Sequence, residues 1–158
     1  MPAALRRLVP PLLAVAALVL LPAIPGSAGR EGGPEESLIV TLTGAQAVPP
    51  NGSLATGSGE ITIRGDRMSV ALRWTRASGP VTGAHLHGPA LAGDDCPVVF
   101  SLVPGKLPEG SASPLEAEFD VGHVERDQLL AGRFTADLHT ATYPGGEIRG
   151  QVVRRADD

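Results

Sequence analysis

From Met68 to Thr75 the chain reads MSVALRWT, with Met68, Val70, Leu72 and Trp74 set against Ser69, Ala71, Arg73 and Thr75. A period of two places the first set on one face of a strand and the second on the other, so this run predicts a strand with one packed and one wet face. Comparable runs rich in β-branched residues recur at 37–43, 57–63, 81–87, 97–103, 115–120, 133–140 and 147–153, separated by Gly, Pro, Asn and Asp. Eight short runs without regular helices between them predict an all-β sandwich or barrel of antiparallel strands and exclude the α/β folds. RGDR (Arg64–Arg67) joins two of the runs and reads as a hairpin turn built on Gly65 and Asp66 rather than as an integrin ligand. VERDQLLAGR (Val124–Arg133) is the one short helical candidate, ended by Gly132.

The first 28 residues lie outside this pattern. Arg6 and Arg7 precede an uncharged run from Leu8 to Ile24 that closes on Gly26, Ser27 and Ala28, the form of a secretory signal peptide cut after Ala28. Pro10, Pro11 and Pro22 break the run short of the roughly 20 continuous apolar residues of a spanning helix. The expected organisation is therefore a signal peptide (1–28), a Gly/Pro/Glu-rich lead-in (29–36), one β domain (37–154) and a short tail (155–158). Localisation is expected to be extracytoplasmic, either secreted or periplasmic and cell-envelope, with no membrane span after signal removal.

Of the 13 basic residues two fall in the signal, which leaves eleven against 17 acidic ones and an expected mature charge of −6. That balance disfavours nucleic acid and anionic membrane as partners. Cys96 is the only cysteine, so the core holds without an internal disulfide, and burial as a small hydrophobe is the expected state of its thiol. The sequence carries no Gly-x-Ser-x-Gly elbow, phosphate-binding glycine loop or HExxH helix. Asp94 and Asp95 are adjacent, point apart in an extended chain, and read as a solvated turn rather than a paired acid and base, with weak calcium binding as a remote alternative.

The histidines remain. His85 and His87 flank Leu86, so if Leu86 is core both imidazoles share the opposite face. The same parity turns Phe134, Ala136 and Leu138 inward and Arg133, Thr135, Asp137 and His139 outward, and in the last strand sends Ile148, Gly150 and Val152 inward and Glu147, Arg149 and Gln151 outward. A hairpin through ATYPGG would set His139 beside Glu147. If the strand of His85 and His87 adjoins them, His85, His87, His139 and Glu147 form a candidate copper or zinc site, since imidazole suits those ions; otherwise they are ordinary strand-end histidines. A weak echo links Ala84-His85-Leu86-His87 with Ala136-Asp137-Leu138-His139, each followed by a glycine at the same offset. His123, in DVGHVER, stands apart and reads as solvated.

Three segments together resemble the CHRD domain family, named for the morphogen antagonist chordin and found widely as a single secreted domain in bacteria: LTGAQAVPP (42–50), AHLHG (84–88) with CPVVFSL (96–102), and LHTATYPGGEIRGQ (138–151). The resemblance implies an immunoglobulin-like or Greek-key β-sandwich and a module with no established reaction. The family's recurring polar positions correspond to His85, His87, His139, Thr140, Glu147, Arg149 and Gln151. Cys96 stands where glycine is usual and Asp137 where asparagine is usual. GAHLHG is also similar to the His-x-His strand of copper/zinc superoxide dismutases, although the disulfide pair and fuller histidine set of that family are missing. The main functional expectation is a non-catalytic binding or structural module for an unknown protein or surface ligand. Its alternative is a copper- or zinc-binding protein, and a redox enzyme on that metal ranks last.

Overall fold

A computed structural model describes residues 33–103 and 113–156. The chain forms eight strands, β1 (Glu35–Thr43), β2 (Thr56–Arg64), β3 (Arg67–Thr75), β4 (Val81–His87), β5 (Val98–Ser101), β6 (Leu115–Asp120), β7 (Thr135–Thr140) and β8 (Ile148–Arg154), with one helix, α1 (His123–Leu130). A single 3-10 turn at Gly44–Gln46 follows β1. The expected signal peptide at 1–28 lies outside the described residues. No helix among the described residues is long and apolar enough to cross a membrane.

All pairings are antiparallel, in the order β5-β4-β7-β8-β1-β2-β3-β6. The sheet curls until its two edges meet: Phe100 on β5 and Phe119 on β6 have ring centroids 5.2 Å apart. This is the all-β, sandwich-like fold that the alternation predicts. The concave face holds the core, with Leu38, Val40 and Leu42 from β1, Ile61 and Ile63 from β2, and Met68, Val70 and Leu72 from β3. Leu86, Ala136, Leu138, Ile148 and Val152 complete it from the other half.

Local chemistry sets the boundaries. Arg64 pairs with Arg67 across a two-residue turn, and Gly65 there has φ 60, a left-handed conformation that glycine adopts without strain. The helix starts one residue before VERDQLLAGR and ends at Leu130, and Gly132, two residues on with φ 69, terminates it as expected. Leu129 is its fully buried anchor, and Arg133 N–H closes the turn on Gln128 O at 2.9 Å.

Two pairings carry the functional residues. β7 pairs with β8 in the register Asp137↔Arg149 and Leu138↔Ile148. β4 pairs with β7 in the register Gly83↔His139, His85↔Asp137 and His87↔Thr135. The β4 register shifts between Val81 and Gly83, and this irregularity keeps Val81, Ala84 and Leu86 all in the core. The segments that echo each other in sequence are therefore neighbouring strands.

Candidate metal centre

Leu86 is fully buried, so His85 and His87 project together from the convex face of β4, and His139 and Asp137 project from the same face of β7. His85, His87, Asp137 and His139 each bring one ligand atom into a group whose members all lie within 4.8 Å of one another. Asp137 sits at the centre. Its Oδ2 lies 2.9 Å from His87 Nε2 and 3.1 Å from His139 Nε2, and its Oδ1 lies 3.3 Å from His85 Nδ1. His85 Nδ1 and His139 Nε2 are 3.1 Å apart. Gly83 makes room for the rings, since a Cβ there would stand 3.2 Å from His85 Cε1.

Backbone carbonyls orient two of the imidazoles. His87 Nδ1 donates to Cys96 O at 2.8 Å, and His139 Nδ1 donates to Pro144 O at 2.9 Å. A carbonyl only accepts, so each neutral ring has its proton on Nδ1 and turns the lone pair of Nε2 toward Asp137. The centre of the cluster is then a meeting of acceptors. With the rings neutral, the 2.9 Å approach of His87 Nε2 to Asp137 Oδ2 brings two acceptors together, and His87 Nε2 and Asp137 Oδ1 are both sealed from solvent. Such a set is stable only with positive charge among its members, supplied by protons or by a cation. In the metal-free protein protons serve: hydrogen bonding to Asp137 raises the pKa of His87 and of His139, outweighing the opposing effect of burial. Burial pushes the Asp137 carboxyl up, but the bonds from His139, His85 and His87 hold it well below the ordinary carboxylate range.

The donor set fits a borderline transition metal. Three imidazole nitrogens and one carboxylate oxygen suit zinc or copper, whereas calcium and magnesium require oxygen. A tetrahedral zinc ion with ligand bonds of about 2.0–2.1 Å keeps its donors about 3.4 Å apart, close to the four contacts of 2.9, 3.1, 3.1 and 3.3 Å above and inside the 4.8 Å limit of the whole group. Histidines that ligate metals donate their second nitrogen to a carbonyl or carboxylate, as His87 and His139 do. The His85 side chain is 24% exposed, which leaves the centre open to solvent on one side.

Glu147, expected beside His139, lies elsewhere. The β7–β8 ladder ends at Leu138↔Ile148, and Glu147 falls just before β8, next to Gly146 with φ 117, where strict alternation no longer holds. Its carboxylate is fully buried and accepts four hydrogen bonds: Ser53 Oγ (2.7 Å) and Ser78 N (2.9 Å) on Oε1, and Ser78 Oγ (2.9 Å) and Thr140 Oγ1 (2.7 Å) on Oε2. Burial pushes its pKa up, and these bonds more than reverse the effect, leaving it below the ordinary value. The carboxylate that joins the imidazoles is Asp137. Parity had already turned it outward with His139, and its place between them needed only the β4–β7 pairing.

The other polar positions have structural partners. Gln151 Nε2 donates to Ala90 O (3.1 Å) and Gly132 O (2.7 Å), tying the β4–β5 loop and the end of α1 to β8. Arg149 bonds Thr135 Oγ1, with its Nη2 2.9 Å away, and Asp94 O at 2.7 Å. Cys96 is half-buried, with Sγ 3.5 Å from Arg149 Nη2 and only its carbonyl engaged by the histidines. His123 opens α1 on the exposed surface, and Asp94 and Asp95 lie in an exposed turn.

Asn51 fastens the Pro-Pro loop to the same end of β8, donating to Gly146 O (3.2 Å) and Glu147 O (3.0 Å) and accepting from Ser53 N (2.9 Å). Asn51→Ala is expected to cost about 2 kcal/mol of stability by chemical denaturation, the loss of several part-buried hydrogen bonds. Metal uptake is expected to be unchanged in that variant.

An eight-stranded, curled antiparallel sheet with a polar imidazole cluster on its convex face defines a class of small all-β domain. The model of the CHRD domain matches residues 38–152, so the chain belongs to the CHRD family. No curated protein and no solved structure matches it.

Proposed function

We propose that this chain is a non-catalytic, extracytoplasmic CHRD module that holds one zinc or copper ion through His85, His87, His139 and Asp137. One observation carries this reading: four potential ligand atoms stand within 4.8 Å, and carbonyls of Cys96 and Pro144 fix two of the rings with lone pairs toward the centre. The Arg6–Ala28 segment supports export, and the CHRD family, whose domains occur in secreted proteins, supports the same compartment. In this role the ion would cross-link β4 to β7 and present a charged, solvent-accessible point to a surface or protein ligand.

The test uses protein expressed as the full chain and recovered after export. Offered excess Zn(II) or Cu(II) and then desalted, it is expected to retain about one ion per chain. No retained metal, with an unchanged melting temperature in excess zinc, would overturn the proposal, because a ligand bound to the native state must stabilise it. Cys96→Ser removes thiol oxidation from the copper measurement.

Uptake should also depend on pH in a defined direction. His87 and His139 have pKa values raised above 6.5, so protons compete with the metal as the pH falls toward and below neutrality. Apparent zinc affinity at pH 5.5 is expected to be about a hundredfold or more below that at pH 7.5. A flat profile over this range would exclude those imidazoles as ligands.

A further inference from the structure

Arg149 is the second unusual group on the convex face. Alternation along β8 sends it outward, where an arginine is ordinarily solvated, yet it is only 6% exposed because the loops after β1 and β4 fold over it. A guanidinium withdrawn from water calls for a carboxylate partner. Asp137 is opposite it in the β7–β8 register, but that carboxylate is directed at the imidazoles. Among the described residues no carboxylate oxygen lies within 4.0 Å of the Arg149 guanidinium; the arginine ion pairs there belong to Arg64, Arg67, Arg126, Arg154 and Arg155.

The contacts that Arg149 does make are all neutral. Nε donates to Thr135 Oγ1 (3.1 Å), and Nη2 reaches Thr135 Oγ1, Asp94 O and, at 3.5 Å, Cys96 Sγ. Nη1 makes no hydrogen bond with a described residue and is not among the sealed polar atoms. Arg149 lines a cavity of about 390 Å³ whose other walls are mostly carbon, with Ala47, Val48 and Pro50 on one side and Ala92 on the other.

We infer that this cleft binds a small organic acid, its carboxylate on Arg149 and its apolar body against the Val48–Ala92 walls. A planar guanidinium matches carboxylate geometry, and a charge-assisted bond is stronger out of water. One cation in an apolar cleft favours a monoanion over a phosphate dianion, whose second charge would lie against carbon. The site differs from the metal centre in its residues and does not depend on the ion.

Amide chemical shifts of the exported protein, followed in EDTA during titration with benzoate and hexanoate, test the inference. Saturable shifts are expected at the cleft, with benzoate bound at least tenfold more tightly than benzamide. Arg149→Gln should weaken benzoate at least tenfold. Ala92→Trp, on an exposed loop, should block it while leaving Arg149 in place, and it carries the test if the arginine variant fails to fold. Equal binding of the amide would reduce the cleft to an apolar groove and overturn the inference. Phosphate binding as tight as that of benzoate, or no saturable shifts in EDTA, would each overturn it as well.

Discussion

Zinc retention is expected to fall from about one ion per chain to none when His85 and His87 are both replaced by alanine, while His123→Ala leaves it unchanged. The double variant removes two of the four donors grouped within 4.8 Å and leaves Asp137 and His139 on one strand. These two cannot hold an ion against buffer and chelator, because affinity for zinc requires three or four converging ligands. His123 is the internal control, a histidine exposed at the start of α1 and remote in sequence from every ligand candidate.

The same experiment has a stability arm. Free zinc at a hundred times its dissociation constant adds about 2.7 kcal/mol to a protein that binds it only when folded. For a domain of this size that corresponds to a rise in melting temperature of roughly 10 °C. The rise should be present in the parent protein and absent in the double variant. Asp137→Asn separates charge from shape. It keeps an oxygen in place but removes the negative charge, and it is expected to lower zinc affinity at least tenfold while the imidazoles still converge. Zinc bound as tightly by the double variant as by the parent would place the ion elsewhere on the protein.

Strand positions were legible in the sequence because a one-sided strand must alternate. MSVALRWT becomes β3, with Met68, Val70 and Leu72 buried and Ser69 and Arg73 exposed, and the helix ends just before Gly132 as its chemistry requires. Leu86 in the core and its flanking histidines on the other face follow from the same rule. Alternation specifies a face, however, and does not specify exposure. Thr135, Asp137 and Arg149 all point outward and are nevertheless buried, because loop residues such as Asn51 and Asp94 cover that part of the sheet.

The neighbour of β4 was not legible, since its pairing with β7 joins His85 to Asp137 across 52 residues and no local signal records it. The sequence therefore places Asp137 on the face of His139 but gives no sign that it stands among the imidazoles. Glu147 illustrates the opposite limit. Counting back from the turn gives the register that the hairpin adopts, Leu138↔Ile148, but the strand has ended one residue before the count reaches His139 and Glu147. The carboxylate is then free to turn toward Thr140 and the loop serines.

That placement makes Glu147→Ala the most destabilising single polar substitution expected in this domain, at about 3–5 kcal/mol, or a loss of melting temperature on the order of 10–15 °C. Ser53 Oγ, Ser78 N–H and the fully buried Thr140 Oγ1 would lose their acceptor, and Ser78 N–H has no rotor with which to find another. Glu147→Gln should cost much less, about 1–2 kcal/mol. Its carbonyl can accept from Ser53 and Ser78 N–H, while its amide donates to the hydroxyls of Ser78 and Thr140, which rotate to accept. The two variants also differ in acid. Because the folded pKa of Glu147 is lowered from 4.5, its charge contributes stability that is fully present above that value and lost as the pH falls through the folded pKa. Urea unfolding of the metal-free protein should therefore show a decline below about pH 4.5 that is shallower in Glu147→Gln than in the parent. If both variants unfold at the parent's urea midpoint at pH 7, the buried carboxylate is not what holds the Ser53 loop, the Ser78 loop and the start of β8 together.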